Sequence, residues 1–156
     1  MQALESLMYQ LAQLFLAPVL LIILALFLFA FYNLGSFAME AWQRRRGLVS
    51  PLHRHWQHRG GSCEDLELWI LRRLEALRLA TRTGPMLGLV GTMIPMGPAL
   101  MSLTEGNAAG VSENLVIAFA AVIVALIAAS ISFWVLTVRR RWLLGDLRAL
   151  EEQGHV

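Results

Sequence analysis

The residues of greatest chemical interest lie in an uncharged run, GLVGTMIPMGPAL, at positions 88–100. Thr92 carries the only hydroxyl between Thr83 and Ser102. Pro95 and Pro98 lack the amide hydrogen that a helix directs at the carbonyls of Gly91 and Ile94. In an apolar medium such a carbonyl must find water or another protein group. Two readings of Thr92 follow. Its hydroxyl bonds back to its own helix at the i−4 carbonyl, or it joins the Gly91 carbonyl in a hydrated polar spot.

Candidate chemistry elsewhere is sparse. His53, His55 and His58 in HRHWQH lack the i, i+4 pairing of a helical metal site and have no thiolate or carboxylate set among them. They read as a solvated loop, and no metal is expected. Cys63 is the only cysteine, so an internal disulfide is impossible, and no neighbour marks it as a nucleophile. Ser/His/Asp patterns, phosphate-cradling glycines and paired acid/base carboxylates are missing, so neither an enzyme nor a cofactor is expected.

The surrounding elements must be membrane spans. The chain has 156 residues, 57% of them hydrophobic, well above a soluble domain. Residues 6–39, 83–104 and 114–138 are nearly or wholly uncharged and each is long enough to cross about 30 Å of hydrocarbon as a helix. All 13 basic residues are arginines, confined to 44–82 and 139–148. The positive-inside rule therefore predicts an outer N-terminus and a cytoplasmic C-terminus, in the cytoplasmic membrane of a bacterium or archaeon. The net charge of +2 comes with no aromatic-interleaved basic face, which argues against nucleic acid as a partner and leaves membrane lipid.

The expected organisation is all-α: an outer segment and first span (1–46), a cytoplasmic loop with an amphipathic helix (47–82), a second span (83–104), a short outer connection (105–112), and a third span with a cytoplasmic extension (113–156). Leu4, Met8, Leu11 and Phe15 share one side of an opening helix, which lies along the interface or extends the first span, and Pro18 frees the Leu14 carbonyl or marks the true start. Ser62 with Asp65 resembles a capping box ahead of a stripe of Leu66, Ile70, Leu74 and Leu77. Ser112, followed by Glu113, predicts the N-cap of the third span. Leu143, Leu147 and Leu150 continue it beyond the membrane, weakened at Gly145. Ala118, Ala121, Ala125, Ala128 and Ser132 recur every three or four residues. This face is smooth enough for close helix approach, as are Gly84 and Gly88, unless it merely reflects an alanine-rich composition.

The run Gly88-Leu89-Val90-Gly91-Thr92, followed by a short acidic connection and a helix opening near Glu113, resembles the MotA/TolQ/ExbB proton-channel family over residues 82–139. Three spans with an outer N-terminus are similar to its TolQ and ExbB branch. The resemblance implies a homopentameric ring whose second and third spans line a pore. That pore would hold a dimeric single-span partner resembling ExbD, TolR or MotB, whose aspartate carries the proton. It implies that Thr92, Gly91, Pro95, Ala118 and Ala121 line the pathway, with Glu113 at the outer entrance. Gly84, Gly88, Ala125, Ala128 and Ser132 are assigned to helix packing. Residues 118–122, Ala-Phe-Ala-Ala-Val, carry no hydroxyl where that family usually places a second one. The competing expectation is a non-conducting scaffold subunit of similar architecture.

Overall fold

The computed structural model describes residues 2–46 and 63–152. The expected loop with its three histidines and the expected cap at Ser62 lie outside the described residues. Three helices account for almost everything else: α1 (Gln2–Arg45), α2 (Cys63–Thr104) and α3 (Ala108–Glu152). With 42 to 45 residues each, they run about 65 Å at 1.5 Å per residue, roughly twice the hydrocarbon thickness. All three are long and apolar enough to cross a membrane. The chain is a multi-pass membrane protein.

Each helix runs on where the sequence allowed a break. α1 continues through Pro18, so the opening segment extends the first span. Leu4, Met8, Leu11 and Phe15 all remain exposed along it. α2 joins the amphipathic helix to the second span without interruption through Pro85, Pro95 and Pro98. α3 passes Gly145 unbroken.

The α2–α3 turn differs from the expected eight-residue connection, because only Glu105, Gly106 and Asn107 stand outside the helices. Gly106 takes φ +72°, a left-handed conformation that ends α2. Its amide bonds the Leu103 carbonyl at 3.1 Å, and that of Asn107 bonds Ser102 at 2.9 Å, capping two of the last carbonyls. Asn107 then starts α3, its Oδ1 accepting from the Gly110 amide at 3.1 Å. Ser112 is therefore not the N-cap. Its Oγ donates to the Ala108 carbonyl at 3.0 Å from within the helix.

Packing follows two regimes. At the arginine-rich end, Phe37, Ile70, Leu74, Leu77, Val135 and Leu143 form a core to which all three helices contribute. Burying side chains of that size is favourable where the alternative is water, by about 1.5–3 kcal/mol each. Deeper in the apolar stretches that drive disappears, because lipid is as apolar as leucine, and close backbone approach must replace it. There α2 presents Gly84, Gly88 and Gly91 to Ala129, Ala125 and Ala121 of α3. A Cβ placed on Gly88 would fall 2.9 Å from Ala125 Cβ, and one on Gly91 3.1 Å from Ala121 Cβ and 3.3 Å from Ile23 Cδ1. Ala118, Ala125, Ala128 and Ser132 are buried as well. The small-residue stripe is thus consumed inside the protomer.

This seam predicts opposite outcomes for two glycine substitutions measured by unfolding in detergent. Gly88→Ala should destabilise by about 1–3 kcal/mol through overpacking against the rigid Ala125. Gly145→Ala, with open space around it, should stabilise by about 0.5–1 kcal/mol.

Candidate functional site

The glycine contacts fix the depth of each residue. Gly84 faces Ala129, Gly88 faces Ala125 and Gly91 faces Ala121, so continuing the antiparallel register sets Thr92 about level with Ala121 and Arg82 about level with Ile131. Thr92 lies seven residues inside Asn114 on this scale, about 10 Å from the acidic end of the apolar stretch of α3. Counting from Arg82 alone puts it nearer mid-membrane, because α2 turns polar one to two turns before α1 and α3 do.

Thr92 is half-buried, and its Oγ1 donates to the Leu89 carbonyl at 2.7 Å. The acceptor is one residue nearer than the i−4 carbonyl expected from the sequence. Leu89 and Met96, one turn before and after it, are both exposed. The pathway residues inferred from the sequence separate here. Gly91, Pro95, Ala118 and Ala121 are buried in the protomer's own helix contacts. They form packing surface and are not an open wall, because the smallness that would suit a pore is used to bring α2 against α3 and α1. Thr92 is the one polar side chain of that set on a free edge of the seam. Glu113 stands exposed in the second turn of α3, close to the α2–α3 turn. Ser132 is fully buried, and its Oγ has no hydrogen-bond partner among the described residues.

A second polar arrangement, absent from the sequence reading, lies at the arginine-rich end. Arg139 is only 7% exposed. Its Nε donates to Glu40 Oε2 at 3.1 Å and its Nη2 to Ser36 Oγ at 3.1 Å. Ser36 donates in turn to the Asn33 carbonyl, and the Asn33 amide to the Phe29 carbonyl. One turn beyond, Arg44 grips Asp146 through both carboxylate oxygens, at 2.6 and 3.3 Å, and lies over the Trp142 ring. Phe37 stacks on that same ring. Asn33, Ser36, Glu40 and Arg44 sit three or four residues apart on α1, one face of a helix. On α2, burial pulls the Arg73 guanidinium below its ordinary value, Glu40 opposing this and Arg139 adding to it. An arginine stays protonated even so. Glu40 thereby pairs α1 with α3 through Arg139 at the membrane boundary and acts on Arg73 of α2 only through its field.

No group of histidine, cysteine or carboxylate residues among those described is arranged to hold a metal. With these helices and their polar edge in place, the comparison with known families becomes decisive. A family model described as the MotA/TolQ/ExbB proton channel family matches residues 63–146, more than half of the chain. The chain belongs to this family. The match begins with α2 and ends at Asp146, the residue that Arg44 holds. No curated protein and no solved structure matched the chain. As a MotA/TolQ/ExbB protein it couples its two family helices through a glycine–alanine seam and attaches α1 through the clamp of Glu40 and Arg139.

The clamp is testable by a double-mutant cycle. Arg139→Gln should cost about 3–5 kcal/mol, because Glu40 is left buried without its cation. Adding Glu40→Gln should recover part of that loss. Equal and additive single effects in equilibrium unfolding would show that the pair is not coupled.

Proposed function

We propose that this chain is the ring-forming subunit of a proton channel, assembling around a single-span partner resembling ExbD, TolR or MotB and converting proton entry into mechanical work at the cell envelope. The observation that carries the reading is the position of Thr92. Between the hydroxyls at its two ends, it is the polar group that the second span leaves on an edge not sealed by α1 and α3, while Gly88 and Gly91 beside it are committed to internal packing. Thr92 is the only hydroxyl between Thr83 and Ser102, and a polar group kept within a membrane is a candidate for an ion pathway. In the proposed ring, five copies of this edge face the partner's helices, and the partner supplies the titrating aspartate. Glu113, exposed at the outer end, lies where protons would gather before entry. The confinement of arginines to one side supports a cytoplasmic location for the clamp and both helix extensions, with the N-terminus outside.

A second reading rests on the residue opposite Thr92. Ala121 brings no hydroxyl to that level, and neither Val122 beside it nor Ala118 one turn before it brings one. A relay would then depend on one threonine per subunit together with partner groups and water. If those do not connect, the same architecture serves as a non-conducting scaffold.

Proton flux into vesicles containing the chain and its partner separates these readings. Thr92→Val, equal in shape but without the hydroxyl, should lower flux at least about tenfold, as expected if one hydrogen bond to the moving charge is lost. Thr92→Ser should retain most of it. Unchanged flux in Thr92→Val would overturn the assignment, and no flux in any variant would favour the scaffold. A monomeric mass for the complex in mild detergent would argue against the ring.

A further inference from the structure

The three arginines that end the last span do not act alike. Arg139 turns inward to Glu40 and Ser36. Arg140 and Arg141 are exposed and line a groove between α2 and α3, which Arg78 of α2 also lines. The groove has a volume of about 1030 Å³. None of these three guanidinium groups has an ion-pair partner among the described residues, whereas Arg44 and Arg139 are both paired.

Depth indicates what the groove receives. The apolar stretches of α1 and α3 end together at Met39 and Val138, held level by the Glu40–Arg139 pair, so Arg140 and Arg141 stand at headgroup height. On the membrane side of them the groove is walled by Leu79, Phe133 and Leu136. Leu79 and Phe133 are more than half exposed. Arg78, level with Val135 by the helix register, lies slightly deeper, and its long side chain reaches back toward the headgroups in the manner of membrane-flanking arginines. Past these arginines the groove continues along Glu67, Glu75 and Arg148, so its lining carries four arginines against two carboxylates and stays net cationic. An apolar slot at acyl-chain depth that opens onto Arg78, Arg140 and Arg141 complements a lipid tail with an anionic phosphate at its head.

We propose that this groove is a binding site for an anionic phospholipid of the arginine-bearing leaflet. Its phosphate lies among Arg78, Arg140 and Arg141, and an acyl chain lies along Leu79, Phe133 and Leu136. The inference does not require the ring or proton conduction, since it rests on α2, α3 and the bilayer alone. An adjacent copy of the chain is the competing occupant.

Native mass spectrometry of the full-length protein, titrated with dioleoyl-phosphatidylglycerol or dioleoyl-phosphatidylcholine, tests it. Retention should favour phosphatidylglycerol. Each of Arg78→Gln, Arg140→Gln and Arg141→Gln should weaken that binding about fivefold, and the triple variant about a hundredfold. The triple lysine variant should keep most of the affinity. Arg82→Gln, the same charge change outside the groove, should leave it nearly unchanged. Equal retention of both lipids, or an Arg82→Gln loss as large as that of Arg78→Gln, would overturn the proposal. It would also be overturned by efficient disulfide formation in membranes between Leu71→Cys in one copy and Leu144→Cys in another, both in a Cys63→Ser background and insensitive to added phosphatidylglycerol. That result would assign the groove to a second copy.

Discussion

The approach of α2 to α3 through glycine and alanine is the contact on which the remaining structure depends. Within lipid, no solvent drives two apolar helices together, so attraction must come from atoms in direct contact over a long seam. Gly84, Gly88 and Gly91 remove the side chains that would hold the backbones apart, and Ala129, Ala125 and Ala121 fill the space with single methyl groups. Residues that weaken an isolated helix are tolerated because neighbouring helices enforce the conformation. The seam also fixes the register, and the register sets the depth of every polar group. A slip of one turn would carry Thr92 about 5 Å along the membrane normal and disalign the charges at the other end.

Those charges solve a different problem. Once the helices leave the hydrocarbon, water restores the drive to bury large apolar side chains, and the contacts change from alanine to Phe37, Leu77 and Val135 just inside the boundary and to Ile70, Leu74, Leu143 and Leu147 beyond it. Apolar packing of this kind is poorly directional. The Glu40 carboxylate supplies direction, because it satisfies Arg139 only when α1 and α3 stand at one relative height. A buried pair contributes little net stability against its desolvation cost, and its value lies in penalising misaligned states. Arg44 and Asp146 repeat the device a turn farther along, in a more open setting.

Much of this was legible in the sequence. Three uncharged runs gave three helices, and the Gly-Leu-Val-Gly-Thr run gave the family. The small-residue stripe was visible too, but its destination was not. A smooth face suits a pore wall, a neighbouring copy and an internal seam equally, and only the pairing of Gly88 with Ala125 shows that the chain spends it on itself. The family resemblance assigned Gly91, Pro95, Ala118 and Ala121 to the pathway, and within the protomer all four are buried. The clamp left a trace in the spacing of Asn33, Ser36, Glu40 and Arg44. Its partner lies about a hundred residues away on α3, beyond the reach of any local pattern. The start of α3 was misread because Ser112 followed by Glu113 has the composition of a cap. The geometry was decided upstream by Gly106, whose left-handed turn leaves Asn107 in position to cap.

The hydrogen bond of Thr92 also bears on how a single hydroxyl would act in the proposed channel. Its proton is engaged by the Leu89 carbonyl at 2.7 Å, so the oxygen turns only lone pairs outward. A hydroxyl in that state accepts a hydrogen bond but does not offer one. Facing a carboxyl group, it stabilises the protonated acid and gives nothing to the carboxylate, which raises the acid's pKa. Rotation about χ1 would release the proton toward a carboxylate at the expense of the Leu89 bond, reversing the preference. One threonine with two rotamers would thus favour proton loading in one state and release in the other, without a second hydroxyl on the facing helix. The absence of a hydroxyl from residues 118–122 is on this argument compatible with conduction, provided that the Leu89 bond is exchangeable.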